Sequence, residues 1–206
     1  MEKYTTPGRI PKITSQRGLY IFDFDDTLAM TDSHVRVISA DGSVDRLDSR
    51  QFASYRPSPG DSLDFTEFSR AEGKLISDTV QAMEDAIKEN GIENVYIVTA
   101  RAIADPVKTF LESMGVTVPE IVATAGSLGK ATWLTRKLEN NDYTTVFVYE
   151  DCRKNITMLK DIVEAYNEEL NKSIDYQAIC ILPSGQHLKI EHRLLRMYIK
   201  EYLKKQ

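Results

Sequence analysis

LYIFDFDDTL, residues 19–28, runs four apolar residues into three aspartates within four positions. A short run rich in aromatic and branched side chains reads as a buried strand. Asp23 and Asp25 stand two apart at its end, so on an extended chain both carboxylates face the same side. Two acids held together repel each other, and a divalent cation or a shared proton relieves the repulsion. By itself D-x-D is also compatible with a solvated aspartate-rich loop.

The segments downstream decide what surrounds this strand. KLISDTVQAMEDAIKEN (74–90) reads as a helix stopped by Gly91, and NVYIVTA (94–100) as a strand. Asp105-Pro106 reads as an N-cap and first-turn proline for a helix ending near Gly115. EIVAT (120–124) is a brief strand, and Ser127 is placed to cap the helix LGKATWLTRKLEN. TTVFVYE (144–150) is a strand followed by a helix from Arg153 to Leu170. YQAICIL (176–182) is a last strand, with an amphipathic helix expected from Lys189 onward. Strands alternating with helices imply an α/β fold with a mainly parallel sheet covered on both faces, whose ligands bind beyond the carboxyl ends of the strands. One such domain accounts for residues 1–206, with a polar lead-in over the first 17 or so residues.

Residues 34–70 break the alternation. VRVIS and SVDRL flank Ala40-Asp41-Gly42, a hairpin signal, RPSPGDS is a loop, and LDFTEFSRAEG suggests a short helix. This stretch is expected to form an insertion above the main sheet.

Polar residues recur where the later strands end. Thr99 and Arg101 leave the strand NVYIVTA, Lys130 lies near a helix start, where free backbone N–H groups favour phosphate, and Glu150-Asp151 ends TTVFVYE. Singly, these are ordinary: a helix-start hydroxyl, a surface lysine, a helix cap. In order, at matching ends of successive elements, they form a pattern. FDFDDTL, IVTAR, the helix-borne lysine and YED resemble the four signature motifs of the haloacid dehalogenase (HAD) superfamily, over about residues 18–182.

That resemblance implies a three-layer Rossmann-like core and a phosphatase. Asp23 becomes a nucleophile forming an aspartyl-phosphate, and Asp25 the general acid and then base. Thr99, Lys130 and Arg101 become phosphate-binding residues. Mg2+ would be held by Asp23, the backbone carbonyl of Asp25, Asp151, and Glu150 through water. An aspartate at the second acidic position marks the branch acting on phosphate esters. Asp26 stands where many members have glycine, and Lys137, on the same helix as Lys130, is the rival for the lysine role.

Substrate choice in that superfamily follows cap insertions, and here residues 34–70 form only a flap or minimal cap. An open site suits a bulky phosphorylated substrate. Arg36, Arg46, Arg50 and Arg56 lie in the insertion with Phe52 and Tyr55, a mixture able to hold a phosphate backbone and a stacked base, or simply to pack and solvate the flap. Arg46, Arg50, Arg56 and Arg153 are the candidate substrate contacts. EDCR loosely resembles the phosphatase domains of polynucleotide end-repair enzymes, and nucleotides or other small esters fit equally. A catalytically silent phospholigand-binding protein and a phosphotransferase or mutase are the alternatives.

Bulk properties narrow the field further. The net charge of −5 with no long basic run argues against strong nonspecific duplex binding. Cys152 and Cys180 form no metal-type pair and are expected as free thiols. No apolar leader and no run of about 18 apolar residues is found, so no membrane partner and a cytoplasmic setting are expected.

Overall fold

A computed structural model of the chain describes residues 17–190. A six-stranded sheet organises them: β1 (Gly18–Phe22), β7 (Val95–Thr99), β8 (Glu120–Ala123), β9 (Thr145–Glu150), β10 (Asp175–Ile181) and β11 (His187–Ile190). The order across the sheet is β11-β10-β9-β1-β7-β8, parallel throughout except for antiparallel β11. The chain is thus α/β with a mostly parallel sheet flanked by helices, as the alternation implies.

Alternate side chains of the strands feed two apolar clusters, one on each face. Tyr20, Phe22, Ile97, Phe147 and Tyr149 pack with α2 (Ser77–Asn90) and α3 (Asp105–Ser113) through Met83, Ala86, Val107 and Leu111. Leu19, Ile21, Val98, Val146 and Val148 pack with α4 (Ser127–Glu139) and α5 (Arg153–Leu170) through Leu134, Leu138, Ile156, Leu159 and Val163. Stacked pairs tie β1 to β9 within the first cluster: Tyr20 on Phe147 at 4.6 Å and Phe22 on Tyr149 at 4.4 Å.

From β1 the chain moves outward to β7 and β8, then α4 carries it back across to β9 and on to β10. The direction reverses between β1 and β9, which makes their carboxyl ends a topological switch point.

Between β1 and α2 lie two smaller sheets. β2 (Ala29–Thr31) pairs with β6 (Gly73–Leu75), and β3 (Val35–Ile38) stands between β4 (Val44–Leu47) and β5 (Ser62–Asp64). The hairpin at Ala40-Asp41-Gly42 joins β3 to β4 as expected. A six-residue helix, α1 (Ser49–Ser54), follows, held by a reciprocal capping box between Asp48 and Gln51.

Several boundaries differ from the sequence reading. Lys74 and Leu75 belong to β6, because they pair with Met30 and Ala29, so α2 begins only at Ser77; it ends at Asn90, with Gly91 as its C-cap, as expected. LDFTEFSRAEG is divided between the end of β5 and a 3-10 turn over Thr66–Ser69. Asp105 and Ser127 are the first residues of their helices rather than caps, and neither helix has a side-chain cap bond. Lys189 and Ile190 lie in β11, not in a helix, since they extend the antiparallel pairing with β10. The rest of the expected C-terminal helix, and the lead-in before Arg17, lie outside the described residues. Among the described residues no helix is long and apolar enough to cross a membrane, and Cys152 and Cys180 are free.

Candidate active site

The switch point gathers side chains from three elements. Asp23 follows β1 directly, and its N–H donates to Tyr149 O at 3.0 Å, continuing the β1–β9 pairing by one residue. Glu150 ends β9 and Asp151 follows it. Lys130 arrives from the first turns of α4. Gly129 lets it approach, because a Cβ there would lie 2.0 Å from the backbone oxygen of Thr124. No residue but glycine lets the helix start sit so close to the β8 exit.

Lys130 Nζ donates to Asp23 Oδ1 at 2.6 Å and to Glu150 Oε2 at 2.7 Å, and the lysine is 1% exposed. Lys137, its rival on the same helix, lies over the Tyr96 ring at 4.0 Å. The carboxylate oxygens of Asp23, Glu150 and Asp151 come within 4.8 Å of one another, so this acidic triad can hold a metal ion. Glu150 contributes an oxygen to this group, and its Oε1 accepts Cys152 N–H at 3.1 Å.

The electrostatics follow from burial. Desolvation first, and then the charge of Glu150, push the Asp23 carboxyl up to about 7, although Lys130 opposes the shift. Desolvation also raises Asp151, with Glu150, Asp23 and Asp26 adding repulsion, to about 9. Burial would lower the Lys130 ammonium, but Asp23 and Glu150 outweigh it and hold its pKa above the ordinary value. One buried ammonium shared by two carboxylates leaves excess negative charge on the triad. An all-oxygen donor set with that excess suits a hard divalent cation.

Asp25 is turned to other partners. Arg101 Nε and Nη2 donate to its two oxygens at 2.9 and 2.7 Å, and Thr31 Oγ1 donates at 2.6 Å. The remaining Arg101 donors reach Ser33 Oγ at 3.1 Å, Phe68 O at 3.2 Å and Arg70 O at 2.7 Å, while the guanidinium stacks over Phe24 and Phe68. A guanidinium has five N–H donors, and here all are engaged within the protein. In this arrangement Arg101 has none left for phosphate; it ties Asp25 to the base of the insertion. Thr99 is fully buried at the end of β7, where its Oγ1 accepts Arg101 N–H at 3.2 Å.

Asp26 adopts φ +56, a left-handed conformation that aspartate is among the few residues besides glycine to adopt readily. Of the candidate substrate arginines, Arg46 is committed to Glu67 at 3.0 Å. Arg56 is exposed in the loop after α1, and Arg153, in the first turn of α5, acts on Cys180 by charge and hydrogen bonding. Arg50 reaches the triad, with Nε 3.5 Å from Asp26 and 3.5 Å from Asp151. Arg101 and Thr31 as partners of Asp25 were not foreseen; their contacts join residues far apart in the chain or in separate small strands. A cavity of about 770 Å³ between residues 69–73 and α3 is lined by none of Asp23, Lys130, Glu150 and Asp151.

No family model, curated protein or solved structure matches the chain.

Proposed function

We propose that the chain is a Mg2+-dependent phosphohydrolase of the HAD type, cleaving phosphate monoesters through an aspartyl-phosphate on Asp23, with nucleotides or polynucleotide ends as candidate substrates. The observation that carries this reading is the meeting of Asp23, Lys130, Glu150 and Asp151 at one switch point, contributed by β1, α4 and β9. A carboxylate is a competent nucleophile toward phosphorus when ionised and shielded from the substrate's charge. Lys130 opposes the upward shift of the Asp23 carboxyl, favouring its ionised form, and offers a cation to the phosphoryl oxygens. Asp23, Asp151 and Glu150 would hold the Mg2+. When bound, the ion supplies the charge neutralisation that lets an anionic nucleophile approach an anionic phosphoryl group. Asp25 donates a proton to the leaving oxygen and later withdraws one from water.

The pairing of Asp25 with Arg101 favours a second reading, in which phosphorylated ligands bind without turnover. A carboxylate held by both oxygens is an acceptor, and it must exchange those contacts before it can donate a proton. Phosphate release from an aryl phosphate, nucleotides and 3′- or 5′-phosphorylated oligonucleotides, with Mg2+ and with chelator, separates the two. Turnover by the wild type, lost in a folded Asp23→Asn variant and in chelator, is expected. Binding of phosphate analogues with no release from any substrate would establish the silent reading, and full activity in Asp23→Asn would remove Asp23 from its role.

A further inference from the structure

The arginines of the insertion divide by what they touch. Arg36 pairs with Asp64 at 3.0 Å and Arg46 with Glu67 at 3.0 Å, so both are spent within the insertion. Arg50 crosses from α1 to the core. Its contacts to Asp26 and Asp151, at 3.5 Å each, are ion pairs too long for good hydrogen bonds. Its Nη2 is buried and has no hydrogen-bond partner. Arg101, which ties the insertion to Asp25, shows what a structural arginine looks like here: every donor is engaged, at 2.7–3.2 Å. A buried guanidinium donor left unsatisfied is costly and calls for an acceptor.

We propose that Arg50 is a substrate-contacting residue of the insertion, donating from Nη2 to a non-bridging oxygen of the phosphoryl group while Lys130 serves the same group from the core. This rests on the phosphohydrolase reading and adds a specific contact to it. Asp151 is both the resting partner of Arg50 and a member of the triad that contains Asp23, so the guanidinium stands one carboxylate away from the nucleophile. A planar guanidinium matches two phosphoryl oxygens, as an ammonium does not. Its resting contacts are long, so exchanging them for a phosphoryl oxygen gives up little. A divalent cation taken up by Asp151 would weaken the tie further and leave Arg50 to the substrate.

The test is calorimetric titration of orthovanadate, a phosphoryl analogue, into Mg2+-loaded wild type, Arg50→Ala, Arg50→Lys and Arg46→Ala, with thermal melts of each. Vanadate affinity should fall about 10-fold or more in Arg50→Ala and recover only in part in Arg50→Lys. Arg46→Ala should stay within about twofold of wild type, since its partner lies within the insertion. Mg2+ affinity without vanadate should be unchanged or higher in Arg50→Ala, because a cation competing for Asp151 is gone. Equal vanadate affinity in Arg50→Ala and wild type overturns the proposal. So does a joint fall of melting temperature, Mg2+ affinity and vanadate affinity in both Arg50 variants, which would make Arg50 a structural tie. If wild type itself binds no vanadate, the phosphohydrolase reading fails and this contact fails with it.

Discussion

Lys130 places its ammonium between Asp23 and Glu150 with almost no solvent access, so the charge balance of the site turns on one residue. Removing it leaves two buried carboxylates facing each other, a change that commonly costs about 3–5 kcal/mol. Lys130→Ala should therefore lower the melting temperature of the metal-free protein and reduce turnover about 100-fold or more in the folded fraction. Lys137→Ala should do neither, because the Lys137 ammonium lies against Tyr96, away from the triad. Turnover assays and melts on both variants decide it, and a crippled Lys137→Ala would reverse the assignment. Lys130 was legible in the sequence because a helix start next to a strand end is a local pattern. Its partners were less so: Asp23 lies 107 residues away, and only the strand order brings it near. The pairing of Arg101 with Asp25 across 76 residues left no local trace at all, which is why Arg101 read as a phosphate ligand.

At the scale of elements, α4 and α1 carry the two cations that flank the triad, and each is positioned by a specific local device. For α4 the device is the contact of Gly129 with Thr124. Gly129→Ala would drive a methyl group into a backbone oxygen, and relief requires the helix start to move. A loss of about 1–3 kcal/mol in stability is expected, with a fall in turnover larger than the stability loss explains, because Lys130 moves too. Parallel melts and kinetics measure both, and wild-type kinetics in Gly129→Ala would show that the close approach does not position Lys130. For α1 the device is the capping box. A helix of six residues is not stable alone. Asp48→Ala should cost about 1 kcal/mol locally and speed amide exchange over residues 49–54, leaving α4 and α5 protected. The long helices were legible from their start and stop signals, such as Gly91, Pro106 and Gly115, and from their place between apolar strands. α1 was not, since SRQFAS is too short to show a period; its one signal was aspartate followed three residues later by glutamine. β6 was absorbed into α2 because three residues of strand, GKL, run straight into a helix, and only the pairing with β2 separates them.

For the whole molecule, the placement of the acids sets the pH dependence of stability. Asp23 and Asp151 have folded pKa values of about 7 and about 9, raised chiefly by burial from an ordinary value of 3.8. Between the ordinary and the raised value, the folded state holds a proton that the unfolded state has released. The unfolded state then binds fewer protons, so stability falls as pH rises through that interval. His187 acts in the opposite direction, because burial lowers its pKa from 6.5, but its contribution is complete once the pH passes that value. Lys130, raised above 10.5, contributes no slope until the medium is strongly alkaline. From about pH 6.5 to about pH 9 the two acids set the slope, joined toward the upper end by the Cys152 and Cys180 thiols, which burial raises from 9.0, and there the melting temperature of metal-free protein should decline steadily. The proposed Mg2+ would bind the ionised carboxylates of the native state, so its stabilisation should grow as the protons leave. The gain in melting temperature from excess Mg2+ should be small near pH 6 and largest near about pH 9. Asp151→Asn should flatten the metal-free decline and abolish most of the Mg2+ gain, since it removes both the displaced proton and a ligand. Melts of wild type and Asp151→Asn across this range, with chelator and with Mg2+, provide the measurement. A metal-free wild type whose melting temperature is level from pH 6.5 to 9 would mean that the triad is ionised without a metal, and that Lys130 and Arg50 together already balance its charge.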